Sequence, residues 1–322
     1  MDVPRDRLWC RVCTTQMVMH SETVLIVGAA GFLGTAVSRY CVNQGLATLG
    51  LDIVDADASV AFTSFYRTEQ LELTLGPILV EHRPTYLINL AGNADVGKSL
   101  IDPRNDFRKS ADLFSAILDQ VRHFSINTKV LFASSAAVYG QPKRLPICES
   151  EMSDPISPYG YHKWICELMA KEYSAIYGIK TASARIFSAY GSGLKKQIFW
   201  DLCNKCQSTG LIELCGDGGE SRDFIHADDI ANAFLCILRN GVFAGESYNV
   251  ATGQEITISA LAQFVIKKFG NATDRLVFSH AVRVGDPRNW RADITQLQSL
   301  GFVPTIELSR GTAEYIEWFK KQ

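Results

Sequence analysis

The run Thr23-Val-Leu-Ile-Val27 breaks directly into Gly28-Ala-Ala-Gly31-Phe-Leu-Gly34, and a helical apolar pattern (Phe32, Leu33, Ala36, Val37, Tyr40) begins with no gap. Such a sequence has room only for a strand, a tight turn and a helix. Similar apolar runs recur at Ala47–Leu51, Tyr86–Ala91, Lys129–Ala133 and Lys180–Phe187, with helical stretches near 71–82, 106–123 and 158–177 between most of them. Strands alternating with helices predict an α/β fold built on a doubly wound parallel sheet. After residue 190 the spacing becomes irregular and Gly-rich, so a smaller C-terminal lobe is expected there, with segments returning to the sheet.

Glycines on a first strand-to-helix turn let backbone approach a pyrophosphate, while the N–H groups of the helix face its charge. A plain tight turn needs the same residues. Asp52 adds the second half of a dinucleotide site, 24 residues after Gly28 and at the end of the second strand-like run. A carboxylate there accepts both adenosine ribose hydroxyls, in hydrogen bonds worth roughly 1.5–3 kcal/mol, and repels a 2′-phosphate. No basic residue stands in Leu51-Asp-Ile-Val-Asp55, so the expected cofactor is NAD rather than NADP. Asp55 itself also fits a solvated loop acid.

The 322 residues are 47% hydrophobic and 20% charged, which excludes a disordered chain. Thirty-two basic residues against 34 acidic ones, spread along the sequence, give no global field for nucleic acid or anionic lipid. A phosphorylated small molecule fits better. No run approaches the ~18 apolar residues of a membrane span, and the first 20 residues lack the core of a secretion signal, so a cytoplasmic protein is expected. Residues 1–20, with Met17 and Met19 as alternative starts, read as an extension; 21–190 as the dinucleotide-binding domain; 191–322 as a substrate-binding lobe. Nine cysteines are scattered. Cys10-x-x-Cys13 and Cys203-x-x-Cys206 lie far apart, the second inside an apolar helical segment, and no metal site is expected.

Ser134-Ser135 closes the Lys129–Ala133 run, and Pro158-Tyr159-Gly-Tyr-His-Lys163 opens the next helix. Carboxyl ends of parallel strands are where ligands bind. Tyr159 and Lys163, four apart, share a helix face. An ammonium about 4 Å from a phenol at an effective dielectric of ~20 contributes roughly 4 kcal/mol, about three pKa units, which is enough to bring a tyrosine towards neutrality as a general base. The spacing equally fits an exposed pair on an amphipathic helix whose inner face is Ile165, Leu168, Met169 and Ile176.

Taken together, Gly28-x-x-Gly31-x-x-Gly34, Ser134-Ser135-Ala-Ala-Val-Tyr139-Gly140, Tyr159-x-x-x-Lys163 and Gly216-Asp-Gly-Gly-Glu-Ser-Arg222-Asp223-Phe-Ile-His-Ala-Asp228-Asp229 resemble an extended short-chain dehydrogenase/reductase with a Rossmann domain. Within that group the chain resembles the nucleotide-sugar epimerase/dehydratase family, from about Thr23 to Pro304. The resemblance implies Tyr159 as acid/base at the sugar 4-hydroxyl, Lys163 as its activator and nicotinamide-ribose ligand, and Ser135 as a hydroxyl on the same sugar oxygen. It places Gly28, Gly31, Phe32, Leu33, Gly34, Asp52, Ile53, Ala91, Gly92 and Ser134 along the cofactor. Ser188, Arg222, Arg283, Asp286 and Trp290 fall at the substrate, where guanidinium forks suit phosphate oxygens. Arg222 also fits an ion pair with Asp223. Ser110 and Ser188 depart from the family's usual Asn. Lys195-Lys196 fits either a phosphate contact or a solvated pair. A homodimer through a helix pair is common in such proteins.

Family members that dehydrate carry a carboxylate acid and base immediately after the Ser/Thr, and this chain has Ala136 and Ala137. Methyl groups transfer no protons, which argues against dehydration. The reading that remains first is an NAD-dependent 4-epimerase of a nucleoside-diphosphate sugar. A 4-keto-sugar reductase using NAD(P)H and a non-catalytic NAD-binding sensor are the alternatives.

Overall fold

The computed structural model describes residues 22–208, 210–270, 275–281 and 285–322. The N-terminal extension with Cys10 and Cys13, and Arg283, lie outside the described residues. Among the described residues there are twelve strands: β1 (Thr23–Val27), β2 (Ala47–Asp52), β3 (Ser64–Arg67), β4 (Tyr86–Asn89), β5 (Lys129–Ser135), β6 (Thr181–Ile186), β7 (Ser188–Tyr190), β8 (Leu211–Leu214), β9 (Ser221–His226), β10 (Ala244–Val250), β11 (Glu255–Thr257) and β12 (Arg275–Phe278). Seven of them form one all-parallel sheet in the order β10-β6-β5-β4-β1-β2-β3.

Period-two burial explains why both faces of this sheet are covered. In β1, Val24 and Ile26 enter a core shared with Val37 and Cys41 of α1 (Phe32–Asn43), while Leu25 and Val27 enter the opposite one. That second core takes Leu75 and Leu79 of α2 (Leu71–His82). After the short helices α3 (Val96–Ile101) and α4 (Pro103–Phe107), it also takes Phe114 and Leu118 of α5 (Leu113–Phe124) and Cys166 of α6 (Pro158–Tyr177). A wide π turn at Arg108–Asp112 joins α4 to α5, so the expected helix over 106–123 is one body with a bulge. Gly178, at φ +70°, ends α6 where a side chain would be strained.

The chain leaves the large sheet at Phe187, and β7 pairs instead with β9 in a three-stranded sheet. Around it α7 (Gln197–Gln207), α9 (Ile258–Phe269) and α11 (Leu308–Phe319) bury Phe199, Leu261, Tyr315 and Phe319 in a separate core, with the short α10 (Thr295–Ser299) outside it. Residues 227–250, beyond position 190, pack with the large sheet: Phe234, Ile237 and Leu238 of α8 (Ala227–Asn240) join the α1 core, and β10 is the edge strand beside β6. The small β3, whose four residues are half-buried or exposed, has no apolar run to announce it. No described helix is long and apolar enough to cross a membrane.

Candidate active site

The glycine turn shows which of its glycines the protein itself needs. Gly28 has φ +85°, and a Cβ on it would lie 2.6 Å from the Ala91 nitrogen, while one on Gly34 would collide with the Gly28 carbonyl. A Cβ on Gly31 would meet only Gly28 O, at 3.4 Å, an ordinary contact. Nothing in the chain demands a glycine there. Gly31 is also the N-cap of α1 and supplies no side-chain cap, so the leading N–H groups of the helix receive none from it. Phe32 packs into the second-lobe core and Leu33 into the α1 core, which leaves their backbone as the part of each that faces the turn. A cradle that packing leaves open at a helix N-terminus fits a dinucleotide pyrophosphate.

Asp52 closes the other side. Its carboxylate accepts from Ala30 N at 2.8 Å and Ile53 N at 2.6 Å, which pins the acid against the turn and leaves lone pairs for ribose hydroxyls. Along β2 no cation stands beside it, but across the sheet one does: Arg67 is its register partner in β3. The Arg67 guanidinium reaches Asp55, at 3.1 and 3.2 Å, in a surface ion pair, so Asp55 is the solvated acid expected, with Arg67 as its partner. Beyond β4, Asn89 accepts from Ala91 N at 3.1 Å, and Gly92 at φ +138° brings its backbone against Lys109 O. Asn89 Nδ2 and Ser110 Oγ, at this loop and in the π turn, are buried without a partner among the described residues. Polar atoms left so next to the cradle are suited to a bound ligand.

At the carboxyl end of β5, Ser135 accepts from Ala137 N at 3.2 Å, and its hydroxyl lies close enough to the Tyr159 phenol to favour the ionised phenol. Tyr159 is fixed from behind, its N–H donating to Ser99 Oγ at 3.1 Å. Lys163 is buried, its Nζ donating to Ala133 O at 2.7 Å, 4.7 Å from the Phe132 ring centroid and 5.8 Å from that of Tyr159. The pair is therefore internal and not an exposed helix pair. The expected drop of the phenol towards neutrality is not found. Burial pushes Tyr159 up to about 12, the Asp106 charge adds to this, and only Ser135 pulls it down. The ammonium is aimed at a carbonyl, and burial lowers its own pKa. Ser134 also differs from expectation, because its hydroxyl donates to Glu167 Oε1 at 2.6 Å, inside the buried Arg185–Glu167 pair.

In the second lobe Arg222, Asp286 and Trp290 lie together. Arg222 donates to Ser221 O at 2.8 Å and Arg288 O at 3.1 Å, stacks 5.5 Å over Trp290, and reaches Asp286 at 4.0 Å. It does not pair with Asp223, whose buried carboxylate accepts from Thr252 N, Thr252 Oγ1, Gly253 N and Ala292 N. Trp290 donates from its indole N–H to Gly140 O at 3.3 Å and stands edge-on to Phe187, beside the turn after Ser135. Ser188 begins β7, paired in register with Phe224. Lys196 reaches across to Ala94 O at 2.7 Å, so it bridges lobe and loop. Ala136 and Ala137 are buried and offer no proton donor. Among the described residues no cluster could hold a metal. Sequence reasoning missed Asp106, His162 and Asn93, which meet beside Tyr159; the position of His162 between Tyr159 and Lys163 was the available signal.

Comparison with known proteins gives the family and the fold. The family model described as NAD dependent epimerase/dehydratase family matches residues 24–251. A UDP-glucose 4-epimerase of Mycolicibacterium smegmatis is 27% identical over 316 residues, covering 92% of this chain and 98% of that protein. The UDP-N-acetylglucosamine 4-epimerase of Methanobrevibacter ruminantium, in complex with UDP-N-acetylmuramic acid, superposes with a TM-score of 0.83 at 25% identity over 94% of this chain and all of that one. The UDP-glucose 4-epimerase of Thermotoga maritima, with UDP-glucose, gives the same score and identity over 93% and 99%.

Proposed function

The chain belongs to the NAD-dependent epimerase/dehydratase family, and from that premise we propose that it inverts C4 of a nucleoside-diphosphate hexose through a transient 4-keto sugar. When bound, NAD supplies the means of taking a hydride from C4 and returning it. Gly28, Gly31, Gly34, Asp52, Ile53, Ala91 and Gly92 would hold it. In its ionised form Tyr159 takes the proton of the 4-hydroxyl as the ketone forms and gives it back on reduction, with Ser135 fixing the sugar oxygen. Lys163, held by Ala133 O, presents positive charge to the nicotinamide end of the site. Arg222, with Arg283 and Asp286 of the following segment, takes the diphosphate and ribose, and Ser188 lies along the sugar. The relatives' names make uridine the base of choice.

The observation that carries the reading is the Ser135 hydroxyl set close to the Tyr159 phenol, with two buried alanines following Ser135. It provides one proton carrier at C4 and none for loss of a 6-hydroxyl. An epimerase regenerates its NAD within each turnover, so the purified protein should carry it and convert a UDP-hexose to its 4-epimer with no added cofactor. Strict dependence on stoichiometric NADH or NADPH, with a 4-keto sugar as substrate, would promote the reductase instead. The same reading includes a homodimer through α5 and α6, which leave Phe124, Leu168 and Tyr177 exposed, and a cytoplasmic setting that keeps the described cysteines as free thiols.

A further inference from the structure

Asp106 is a charged side chain that the chemistry above does not use, and it is only 2% exposed. Its carboxylate takes the Asn93 amide on one oxygen and faces Nδ1 of His162 with the other. An ionised carboxylate can only accept, so the proton of the second contact belongs to the imidazole. A carboxylate this deep is costly without hydrogen-bond donors, and the Asn93 amide and the His162 ring are the donors that face it. That ring is itself fixed, edge-on to Phe107 at 5.3 Å and 85°. Three parts of the site meet here. Asn93 follows Gly92 in the loop beneath the cofactor cradle, Asp106 lies on α4, and His162 sits on α6 between Tyr159 and Lys163.

We propose that Asp106 and His162 are positioning residues of the acid–base centre, a hydrogen-bonded buried pair that locks the Gly92 loop to α6 and sets the field in which the Tyr159 phenol holds its proton. The proposal rests on Tyr159 being the proton carrier. The charged and titratable groups facing that centre are Asp106 from α4 and Lys163, Cys166 and Glu167 from α6, with the Ser135 hydroxyl from β5. Of the two carboxylates, Glu167 is paired with Arg185 and acts on Lys163, whereas Asp106 acts on the Tyr159 phenol itself and faces His162. Removing Asp106 and removing His162 should therefore act in opposite directions, because the first deletes the carboxylate beside the phenol, while the second keeps the carboxylate on its Asn93 donor and takes away the imidazole that faces it. A mere strut would move both the same way, or neither.

The test is the pH dependence of kcat/KM for the NAD-loaded protein on a UDP-hexose, in Asp106→Asn and His162→Gln. The limb belonging to Tyr159 should move to lower pH in Asp106→Asn and to higher pH in His162→Gln, each by on the order of one pH unit. Tyrosinate absorbance, taken as the difference from the same background carrying Tyr159→Phe, should show the downward shift in Asp106→Asn independently of turnover. Coincident profiles, or shifts of the same sign, overturn the proposal. If Asp106→Asn does not fold, His162→Gln decides alone, and an unmoved limb refutes it. Absence of turnover in the unaltered protein would speak against the epimerase reading, while the absorbance difference still judges the pair.

Discussion

Arg67 stands directly across the sheet from Asp52, yet its guanidinium closes on Asp55. The cation that a 2′-phosphate would need is present but occupied, and the carboxylate that would repel it stands alongside. NAD should therefore bind clearly more tightly than NADP in calorimetry. Asp52→Ala should weaken NAD by about 1–3 kcal/mol through the lost ribose hydrogen bonds. Adding Asp55→Ala should release Arg67 and raise NADP affinity, whereas equal binding of the two cofactors by the unaltered protein would remove this role for Asp52.

Gly31 and Gly34 separate a ligand's demand from the protein's own. A methyl group at Gly34 is driven into the backbone at Gly28 and Ala29, an overpacking of typically 1–3 kcal/mol, so Gly34→Ala should lower the melting temperature. Gly31→Ala should leave melting unchanged and weaken NAD. Unaltered NAD affinity in Gly31→Ala would mean that the cradle is not where the pyrophosphate lies.

For the chemistry, Tyr159→Phe should lower turnover by at least the ~10²-fold typical of a general acid–base group while NAD binding persists. Ser135→Ala should be milder, since it removes a hydrogen bond and keeps the proton carrier. Turnover at the unaltered rate in Tyr159→Phe would refute the assignment.

Much of this site was legible because local chemistry dictates it. The glycine turn is announced by the end of an apolar run, and Pro158 with Ser157 as N-cap starts α6 where the pattern places it. What periodicity does not carry is anything made by contact across the fold. Arg67 became a neighbour of Asp52 only through a four-residue edge strand, and Asp223 turned from Arg222 to loop amides of residues 252, 253 and 292. The phenol's protonation was misjudged for a related reason: spacing on a helix gives proximity of Tyr159 and Lys163, but burial and the carbonyl of Ala133 decide where the ammonium points.

Asp223 gives a pH-dependent stability. Burial raises its carboxyl to about 6 in the folded chain, against four donors that favour the charge, while an unfolded aspartate titrates near ~3.9. The folded state thus holds the proton more tightly. Its contribution is full below about pH 4 and is lost as pH rises through about 6, on the order of 2–3 kcal/mol in all. Urea unfolding at mildly acidic and neutral pH should show a steeper loss in the unaltered protein than in Asp223→Asn, which lacks the titrating group. Parallel losses would mean that the four donors keep the carboxylate ionised throughout.

Trp290 bears on which sugar is accepted. Its indole is anchored to Gly140 O, braced by Phe187 and covered by the Arg222 guanidinium, so it is a fixed wall beside the turn that follows Ser135. A rigid aromatic wall next to the proposed sugar position takes the room that a 2-acetamido group would need, and three contacts make it costly to move aside. The structural neighbours do not decide the matter, since one acts on an N-acetylated sugar and another on a plain hexose. Poor turnover of UDP-N-acetylhexosamines relative to UDP-hexoses is expected, with the ratio improving in Trp290→Ser. Because Trp290 also closes part of a buried cluster, the comparison should be the ratio of kcat/KM values within each protein, which a general loss of stability leaves unchanged. Equal turnover of both sugar types by the unaltered protein would remove the wall from the account of specificity and leave Trp290 as packing alone.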